Sequence, residues 1–381
     1  MLRYQLSHWE WESFFKDIDV LIVGSGITGL SAAIHLKEQA PGMKVVLIDR
    51  GPLPIGASTR NAGFACFGSL SELLDDLKHS SREEVLALVE QRYEGLCRLR
   101  ERYSDTALGY QAWGGYEIFR EEDAELYAQC LAVMEDFNND LRPLTGKETF
   151  VHADAQLPAT GLQKVSHLLL NQAEGQLHTG QLMKTLLRRA QSLDVLCLGG
   201  ITVTDREEIN GQVVLHTDHG WSIQARQCLL ATNGFAKQLL PYLDLKPARN
   251  QVLITEPIPG LQLQGCFHYD CGYVYFRNVD QRILLGGGRN QDLSGEETAD
   301  LGAHQGIRTY LENLLRTVIL PGQDVKIDRW WSGIMGVGPA KKPIITEVGQ
   351  HTIAAVRLGG MGVAIGTGVG EKAADLLLGK G

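Results

Sequence analysis

Three glycines near the start of the chain have the spacing of a site that binds a pyrophosphate. Gly24, Gly26 and Gly29 follow a short apolar run, residues 20–23, and precede a run of alanine and leucine that favours a helix. The first glycine would allow a tight turn, the second a close approach to phosphate, and the third close packing of helix on strand. The pyrophosphate would then lie at a helix N-terminus, where free N–H groups and the helix dipole attract an anion.

An acidic residue completes this motif. A second apolar run, residues 44–48, ends in Asp49, which follows Gly29 by twenty residues. At that distance a carboxylate can accept hydrogen bonds from the hydroxyl groups of a ribose. The two apolar runs, the glycines and the acid together predict a strand–turn–helix–strand unit that binds a dinucleotide.

The composition restricts the class of protein. The chain has 381 residues, 43 glycines and a hydrophobic fraction of 44%, which favours an α/β protein with two domains or one large discontinuous domain. The net charge is −9 and no block of lysine or arginine occurs, so no nucleic-acid partner is expected. Seven cysteines without a CxxC pair indicate reduced thiols. We find no signal-peptide pattern and no transmembrane segment, and we expect a cytoplasmic protein.

The regions after this motif alternate between helical and strand patterns. A loop of small residues, 56–64, suits either a close approach to a ligand or an ordinary surface turn. Residues 81–103 and 121–141 have helical periodicity around a strand at 114–119, and their higher charge indicates a separate domain that opens near residue 75.

The second half of the chain contains a predicted antiparallel meander. A helix at 180–192 precedes strands at 201–206, 212–217 and 221–225, and Asn210-Gly211 is a strong hairpin signal. A separate buried strand would follow and end at Ala231-Thr-Asn-Gly234. The remaining predicted elements are paired strands at 273–277 and 282–286, a helix at 296–315, a strand at 352–356, a glycine-rich turn at 358–370 and a helix at 371–378.

The two glycine-rich turns point to one long ligand. The C-terminal turn precedes a helix and would present a second group of free N–H donors to an electron-rich ligand. A ligand contacted by both ends of the chain must be long and buried, which fits FAD better than a dissociable nicotinamide.

Four segments together resemble the FAD-dependent D-amino-acid oxidase superfamily, which includes glycine oxidase, sarcosine oxidase, D-amino-acid dehydrogenase and glutamylputrescine oxidase. They are the N-terminal unit, the 56–64 loop, the Ala231-Thr-Asn-Gly234 turn and the Gly360-Met-Gly362 turn. The resemblance implies an α/β fold, with a Rossmann-like FAD-binding domain of the glutathione-reductase type, an antiparallel β-meander and an inserted α+β substrate domain. It assigns residues 1–75, 166–245 and 331–381 to the FAD-binding domain, and 76–165 and 246–330 to the substrate domain.

The resemblance also implies which residues hold FAD. The pyrophosphate would be lined by Gly24, Ser25, Gly26, Ile27, Thr28 and Gly29, and the ribose held by Asp49 and Arg50. Other contacts would come from Ala57, Ser58, Asn61, Ala62 and Gly63 beside the pyrophosphate and flavin, from Val203 at adenine, and from Thr232, Asn233 and Gly234 at the adenosine end. Backbone N–H groups of Gly360, Met361, Gly362 and Val363 would stabilise negative charge at the pyrimidine edge of the flavin.

Departures from the family pattern argue against sarcosine as the substrate. The stretch Gly338-Pro-Ala-Lys-Lys-Pro343 lacks the aspartate that family members often carry, and Ala364 stands where sarcosine oxidases have a lysine. No cysteine occurs at Ser332 or Gly333, where sarcosine oxidases attach their flavin. The FAD is therefore expected to be non-covalent.

Tyr275 and Arg277 are the candidate catalytic residues. They lie on a predicted strand that faces the flavin in the family, where an arginine could bind a carboxylate in a bidentate manner and a tyrosine hydroxyl could assist. Arg277 could instead be an exposed strand residue, and Arg289 is a competing candidate. His268 and Tyr269 are candidate polar groups of the pocket, and no cluster of His, Cys and Asp has metal-ligand spacing in the sequence.

These features predict FAD-dependent oxidation of the C–N bond of an amino acid or amine. Hydride would pass to the flavin, the imine would hydrolyse, and dioxygen or a quinone would accept the electrons. The alternatives are a flavin dehydrogenase of 2-hydroxy acids or polyols and a non-catalytic electron-transfer flavoprotein. A plain NAD dehydrogenase would leave the C-terminal glycine-rich turn without a role.

Overall fold

The computed structural model describes residues 4–380. The chain divides into two compact units that are each discontinuous in sequence. The first unit contains the residues up to Asn61, then Thr179–Ala248, and the residues from Ile334 onward. The second unit contains Ala62–His178 and Arg249–Gly333. Residues 1–3 and 381, which belong to the predicted segments 1–75 and 331–381, lie outside the described residues.

The strands and helices are numbered in chain order. The strands are β1 Ile18–Val23, β2 Val45–Ile48, β3 Phe64–Ala65, β4 Gly115–Phe119, β5 Phe150–His152, β6 His167–Asn171, β7 Gly175–Gln176, β8 Leu196–Leu198, β9 Val203–Ile209, β10 Gln212–Thr217, β11 Ser222–Leu230, β12 Lys246–Thr255, β13 Cys266–Tyr269, β14 Val274–Val279, β15 Arg282–Gly287, β16 Ile327–Val337, β17 Ile344–Glu347 and β18 Thr352–Val356. The helices are α1 His8–Glu10, α2 Ile27–Gln39, α3 Leu70–Leu77, α4 Arg82–Tyr103, α5 Asp105–Leu108, α6 Ala124–Thr145, α7 Leu157–Thr160, α8 Thr179–Ser192, α9 Gln305–Leu314 and α10 Gly362–Leu377. None of the helices between residues 4 and 380 has the length and apolar character needed to cross a membrane.

A largely parallel sheet forms the centre of the first unit. Its strand order is β17-β18-β11-β1-β2-β8, with β10 and β9 attached to β11. Each adjacent pair in the order β18-β11-β1-β2-β8 is parallel, whereas β17 pairs antiparallel with β18 and β10 pairs antiparallel with β11. The parallel core consists of apolar strands buried on both faces, which is typical of α/β folds.

The strand β11 corrects one prediction. The sequence suggested two strands, one at 221–225 in the meander and a separate one after Gln227. The structure has one strand, which pairs antiparallel with β10 up to Ala225 and parallel with β1 and β18 beyond it. One extended segment therefore belongs to both the meander and the parallel core.

The glycine-rich segment near the C-terminus is helical from Gly362 onward, so the prediction of a turn at 358–370 with a helix from 371 is right for residues 358–361 and wrong for residues 362–370. The helix α10 begins at Gly362 and packs along α2. A Cβ atom added to Gly366 would lie 2.9 Å from Ile27 Cγ2, and one added to Gly370 would lie 2.9 Å from the backbone nitrogen of Ala32. Close packing thus outweighs the low helix propensity of glycine.

The sheet of the second unit has two chemically different faces. Its strand order is β16-β12-β15-β14-β13-β4-β6-β5. One face carries Phe267, Phe276 and Leu285 and packs in a buried cluster with Ile307 and Leu311 of α9. The other face carries the candidate catalytic residues Tyr275 and Arg277.

The prediction of a helix at 296–315 is wrong in its first half. The helix α9 begins only at Gln305, and His304 caps it by accepting a hydrogen bond from the N–H of Ile307 at 3.2 Å. Glu296 lies outside the helix and forms a buried ion pair with Arg249, with 2.7 Å between Oε1 and the guanidinium. That long-range pair, rather than helical periodicity, determines the position of Glu296.

Candidate functional site

The first glycine-rich turn has the tight geometry that its sequence predicts. Gly24 has a φ of +108°, and a Cβ atom there would lie 2.6 Å from the carbonyl oxygen of Ala231. A Cβ atom on Gly29 would collide with the carbonyl oxygen of Gly24, and one on Gly26 would lie 2.8 Å from Ser58 Oγ. The turn leads directly into α2 at Ile27, so the first N–H groups of that helix lack intrahelical acceptors. The geometry suits a bound phosphate.

Asp49 lies beside this turn and is held in place by it. Its Oδ2 atom accepts hydrogen bonds from Ser25, at 2.9 Å from the backbone nitrogen and 2.7 Å from Oγ, and its Oδ1 atom accepts one from the N–H of Gly51 at 3.1 Å. Each carboxylate oxygen has two lone pairs, so Oδ1 can still accept one hydrogen bond from a ribose. Arg50 stacks its guanidinium on Phe235, 3.7 Å from the ring centroid, and Phe235 is a contact that the sequence did not indicate.

The loop after β2 has partly structural side chains. Ser58 Oγ accepts a hydrogen bond from the N–H of Ile27 at 3.0 Å, so it caps the first turn of α2. The side-chain amide of Asn61 donates to the carbonyl oxygens of Ala57 and Ser58 at 3.1 and 3.0 Å. It also accepts a hydrogen bond from Thr179 Oγ1 at 2.9 Å. Ser58 and Asn61 therefore shape the loop from within the first unit.

Ala62 and Gly63 belong to the second unit. Ala62 is buried in a cluster with Val252 and Leu284. The carbonyl oxygen of Gly63 accepts a hydrogen bond from the N–H of Leu177 at 2.8 Å. The structure thus does not bring these two residues into the same unit as the other predicted FAD contacts.

The turn at 231–234 joins the two glycine-rich segments of the first unit. The N–H of Ala231 donates to the carbonyl oxygen of Val23 at 2.8 Å, and Asn233 Oδ1 accepts from the N–H of Leu358 at 3.2 Å. A Cβ atom on Gly234 would lie 2.5 Å from the carbonyl oxygen of Met335. Thr232 Oγ1 is buried without a hydrogen-bond partner among the described residues, so it is an available group for a polar ligand.

The second glycine-rich segment provides another helix N-terminus. Met361 is the N-cap of α10, and its N–H donates to the carbonyl oxygen of Leu358 at 3.3 Å. Gly360 precedes it in the turn, and the N–H groups of Gly362 and Val363 open the helix. Because α2 follows β1 and α10 follows β18, both helices start at the carboxyl-end edge of one parallel sheet.

The predicted adenine contact lies near Asp49. Val203 begins β9 and pairs with Thr217 of β10 in the meander. The N–H of Ile201, two residues earlier, donates to the carbonyl oxygen of Asp49 at 2.9 Å. The fold of the first unit therefore assembles the dinucleotide turn, Asp49, Val203, the 231–234 turn and the start of α10.

The candidate catalytic residues lie together in the second unit. In the ladder between β13 and β14, His268 pairs with Tyr275 and Cys266 pairs with Arg277. Residues that pair across a ladder share a face of the sheet. We call the face that carries these four residues the polar face. Tyr269 lies in the opposite, apolar cluster, and Arg289 stacks on Tyr273 at 5.1 Å from its ring centroid.

Arg277 is buried, and part of its guanidinium lacks a hydrogen-bond partner. It is only 5% exposed, and its Nε atom has no hydrogen-bond partner in the described part of the chain. Burial lowers the pKa of its guanidinium, although an arginine remains charged. A buried charge without a counter-ion costs free energy unless a ligand supplies one. The interpretation of Arg277 as an exposed strand residue is therefore wrong.

Tyr275 keeps its hydroxyl proton at neutral pH. Burial raises the pKa of Tyr275 to about 12, and the side chain of Asn250 partly opposes this shift. Its ring packs edge-on against Phe64, with 5.6 Å between the centroids. The phenol is thus a neutral hydrogen-bond donor at a fixed position.

His268 lies among carboxylates that the sequence did not single out. Its Nε2 atom is 3.6 Å from Glu174 Oε2, and its Nδ1 atom is 3.9 Å from Glu72 Oε2. Burial alone would lower the pKa of His268, but the interaction with Glu174 outweighs it and raises the pKa to about 9. Glu72 forms a capping box with Ser69 at the start of α3, whereas Glu174 belongs to no recognisable motif, so no local signal could have placed either carboxylate beside His268.

The comparison with known families decides the identity of the fold. A model of the DAO family, described as FAD dependent oxidoreductase, matches residues 19–376. The chain belongs to this family. It is thus an FAD-dependent oxidoreductase, and the predictions of the superfamily, of an enzyme and of FAD as the cofactor are confirmed. The steric demands at Gly24 and Gly29 and the unpartnered Thr232 hydroxyl fit this cofactor.

Individual relatives agree with this assignment. The chain is 27% identical to the probable oxidoreductase OrdL of Rhizobium meliloti over 378 residues, which is 96% of this chain and 84% of that protein. It is 25% identical to the gamma-glutamylputrescine oxidoreductase of Escherichia coli over 95% of this chain and 84% of that protein. The crystal structure of glycine oxidase from Geobacillus kaustophilus superposes with a TM-score of 0.75, at 20% identity and 95% coverage of both chains. The predicted α/β fold class is therefore confirmed.

Proposed function

We propose that the protein oxidises the C–N bond of an amino acid or amine whose carboxylate is bound by Arg277. The observation that carries this proposal is the buried guanidinium of Arg277, whose Nε atom has no hydrogen-bond partner among the described residues. A guanidinium in that state gains most from a bidentate carboxylate. The similar proteins glycine oxidase and gamma-glutamylputrescine oxidoreductase are named for amino compounds, which supports C–N chemistry.

In this proposal the first unit binds FAD without a covalent bond. The first turn of α2 holds the pyrophosphate, Asp49 the ribose, and the N–H groups of Gly362 and Val363 the electron-rich edge of the ring. No cysteine occurs at position 332 or 333 to form a flavin linkage. The flavin, when bound, accepts the hydride from the substrate carbon that carries the nitrogen.

The second unit provides substrate recognition in this proposal. Arg277 holds the carboxylate, and the Tyr275 hydroxyl, which stays protonated, donates a hydrogen bond to it. A substrate amine that is neutral needs no general base before oxidation, so the protein acts by orienting the substrate. The electrons then pass to dioxygen or a quinone. All seven cysteines are free in the described structure, which supports a reducing compartment such as the cytoplasm.

A second candidate function also depends on Arg277. Arg277 would bind the carboxylate of a 2-hydroxy acid equally well, so a flavin dehydrogenase of 2-hydroxy acids is the alternative. The visible spectrum of the purified enzyme under anaerobic conditions distinguishes the two. Bleaching of the flavin by amino acids or amines supports C–N oxidation, whereas bleaching by hydroxy acids alone would replace it.

The role of Arg277 is tested by replacement with methionine. Loss of a bidentate pair worth about 3 kcal/mol should raise KM for carboxylate substrates roughly 100-fold. Oxidation of amines that lack a carboxylate should change little. Because an unpaired buried charge is removed, the thermal unfolding temperature should stay the same or rise, which excludes misfolding as the cause.

Arg289→Met is the matched control for this experiment. Arg289 lies in the same unit but stacks on Tyr273, so its loss should leave the KM for carboxylates near the wild-type value. Equal effects of Arg277→Met on both substrate classes, or a larger effect of Arg289→Met on carboxylates, would contradict the assigned role.

A further inference from the structure

Three residues from distant parts of the chain bring metal-binding atoms together in the second unit. Cys66 follows β3, Glu174 precedes β7, and His268 lies in β13. One potential ligand atom from each lies within 4.8 Å of those of the other two. The three residues are buried, with exposed fractions of 4%, 1% and 7% respectively. The oxidation proposed above needs no ion, although His268 lies on the same sheet face as Tyr275 and Arg277.

Two of these atoms lack partners. Glu174 Oε2 and His268 Nε2 are buried and have no hydrogen-bond partner among residues 4–380. They face each other at 3.6 Å, which is too long for a good hydrogen bond. Two ligands of a tetrahedral zinc ion, each about 2.0 Å from the metal, lie roughly 3.3 Å apart. The gap between these atoms is thus close to the spacing that a shared metal ion imposes.

The surrounding chain holds the carboxylate in this orientation. Glu174 Oε1 accepts hydrogen bonds from the N–H groups of Phe67 and Gly68, at 2.8 and 3.0 Å. The second oxygen is therefore turned toward His268. A carboxylate also lies on the other side of the imidazole, where one commonly orients a metal-bound histidine. This oxygen, Glu72 Oε2, accepts a hydrogen bond from the N–H of Ser69 and lies 3.9 Å from Nδ1, which is beyond hydrogen-bond distance.

We propose that Cys66, Glu174 and His268 bind one Zn²⁺ ion. A thiolate and an imidazole are ligands that favour zinc over magnesium or calcium. A thiolate, a carboxylate and a neutral imidazole balance the two positive charges of the ion, so the buried complex carries no net charge. The Cys266 thiol, which donates to the carbonyl oxygen of Gly175 at 3.3 Å, provides a neighbouring sulfur for the fourth position.

Such a site would be structural. It would tie the segment after β3 and the segment before β7 to the central strand β13. Binding requires deprotonated ligands, so it would release protons from the thiol and the imidazolium. The alternative is a metal-free cluster, in which His268 and Glu174 form an ion pair next to a neutral thiol.

The metal content of the FAD-loaded enzyme separates these alternatives. The enzyme is incubated with an equimolar amount of Zn²⁺, passed through a desalting column and measured by plasma mass spectrometry. We expect about one zinc ion per chain in the wild type and little or none in Cys66→Ser and His268→Gln. Cys130→Ser removes another fully buried thiol of the same unit and should keep the zinc.

The flavin spectrum of each variant shows whether it is folded. Cobalt(II) provides a second measurement, because a tetrahedral thiolate site absorbs at wavelengths beyond those of the flavin, and this absorption should disappear in Cys66→Ser. A wild type without zinc, or an equal zinc content in folded Cys66→Ser, would overturn the proposal. Since the oxidation of substrate is not part of these measurements, the metal proposal and the proposed function can fail separately.

Discussion

Replacement of Gly370 by alanine tests the close packing of α10 on α2. An added Cβ atom would collide with the carbonyl oxygen of Thr28 and lie 2.9 Å from the backbone nitrogen of Ala32. It would also lie 3.0 Å from Ser31 Cβ. These atoms belong to the backbone of α2 or are fixed to it, so no side chain can rotate away. The helices must move apart.

The expected change in the free energy of unfolding of Gly370→Ala follows from two opposing effects. Overpacking of a well-packed core costs about 1–3 kcal/mol, and the higher helix propensity of alanine returns up to about 1 kcal/mol. Because the obstacle is backbone, we expect the free energy of unfolding to fall by about 2 kcal/mol. The shift would also displace the first turn of α2, so the affinity for FAD should fall about tenfold or more, which corresponds to about 1.4 kcal/mol.

Gly368 offers a control on the same helix. A Cβ atom at this half-buried position meets no atom within 4 Å. Gly368→Ala should therefore stabilise the protein by up to about 1 kcal/mol and leave the affinity for FAD unchanged. Urea denaturation of the flavin-free protein and titration with FAD, followed by flavin fluorescence, measure both quantities.

The comparison of Gly370→Ala with Gly368→Ala tests both the close packing of α10 on α2 and its link to FAD binding. Equal stability and equal FAD affinity of Gly370→Ala and Gly368→Ala would refute the close approach of the two helices. A loss of stability without a loss of FAD affinity would keep the packing but refute the link to the pyrophosphate site.

Three further predictions concern single polar side chains that are buried or half-buried. Asn138→Ala should lower the free energy of unfolding by about 2–3 kcal/mol, because its side chain makes three buried hydrogen bonds to the backbone at 149–150, whereas the exposed neighbour Asn139→Ala should have little effect in the same urea titration. Glu208→Gln should destabilise the protein at neutral pH but not in acid. Burial opposes ionisation of Glu208, but hydrogen bonds from Thr352 and two backbone N–H groups hold its pKa below the ordinary value. Its stabilisation is therefore present above the unfolded-state pKa and lost as the pH falls through the folded-state pKa, which thermal unfolding at several pH values measures. Glu296→Ala should cost about 3 kcal/mol, because it leaves a buried guanidinium unpaired, and an unchanged urea midpoint would contradict this.

Local chemistry made the first part of the fold predictable. The packing of Gly29 against Gly24 and the hydrogen bonds of Asp49 to Ser25 lie within one strand–helix–strand unit, so the spacing indicates this arrangement. Gly24 and Gly26 also pack against Ala231 and Ser58, which lie outside that unit. The strands β14 and β15 pair around Asp280, as the sequence predicts, because a short turn determines that register. The roles of the individual residues toward FAD and substrate, and the predicted domain boundaries, remain predictions.

Long-range contacts explain the predictions that are wrong. The glycines of α10 suggest a loop by propensity, and only the contact with α2 explains why they form a helix. The change of β11 from antiparallel to parallel pairing at Ala225 depends on β1 and β18, which are distant in sequence. The cluster of Cys66, Glu174 and His268 has no regular spacing, so a search for metal motifs along the sequence could not find it.

The discontinuous first unit has a consequence for synthesis on the ribosome. Its central strand β11 has β18 as a neighbour, and its helix α2 packs on α10. The surroundings of the N-terminal dinucleotide turn are therefore incomplete until the last segment of the chain has folded. Until residues 352–377 have left the ribosome, one edge of β11 and one side of α2 stay exposed to other chains. We therefore expect FAD to bind only after translation, so that a shortage of FAD would affect the finished chain rather than the growing one.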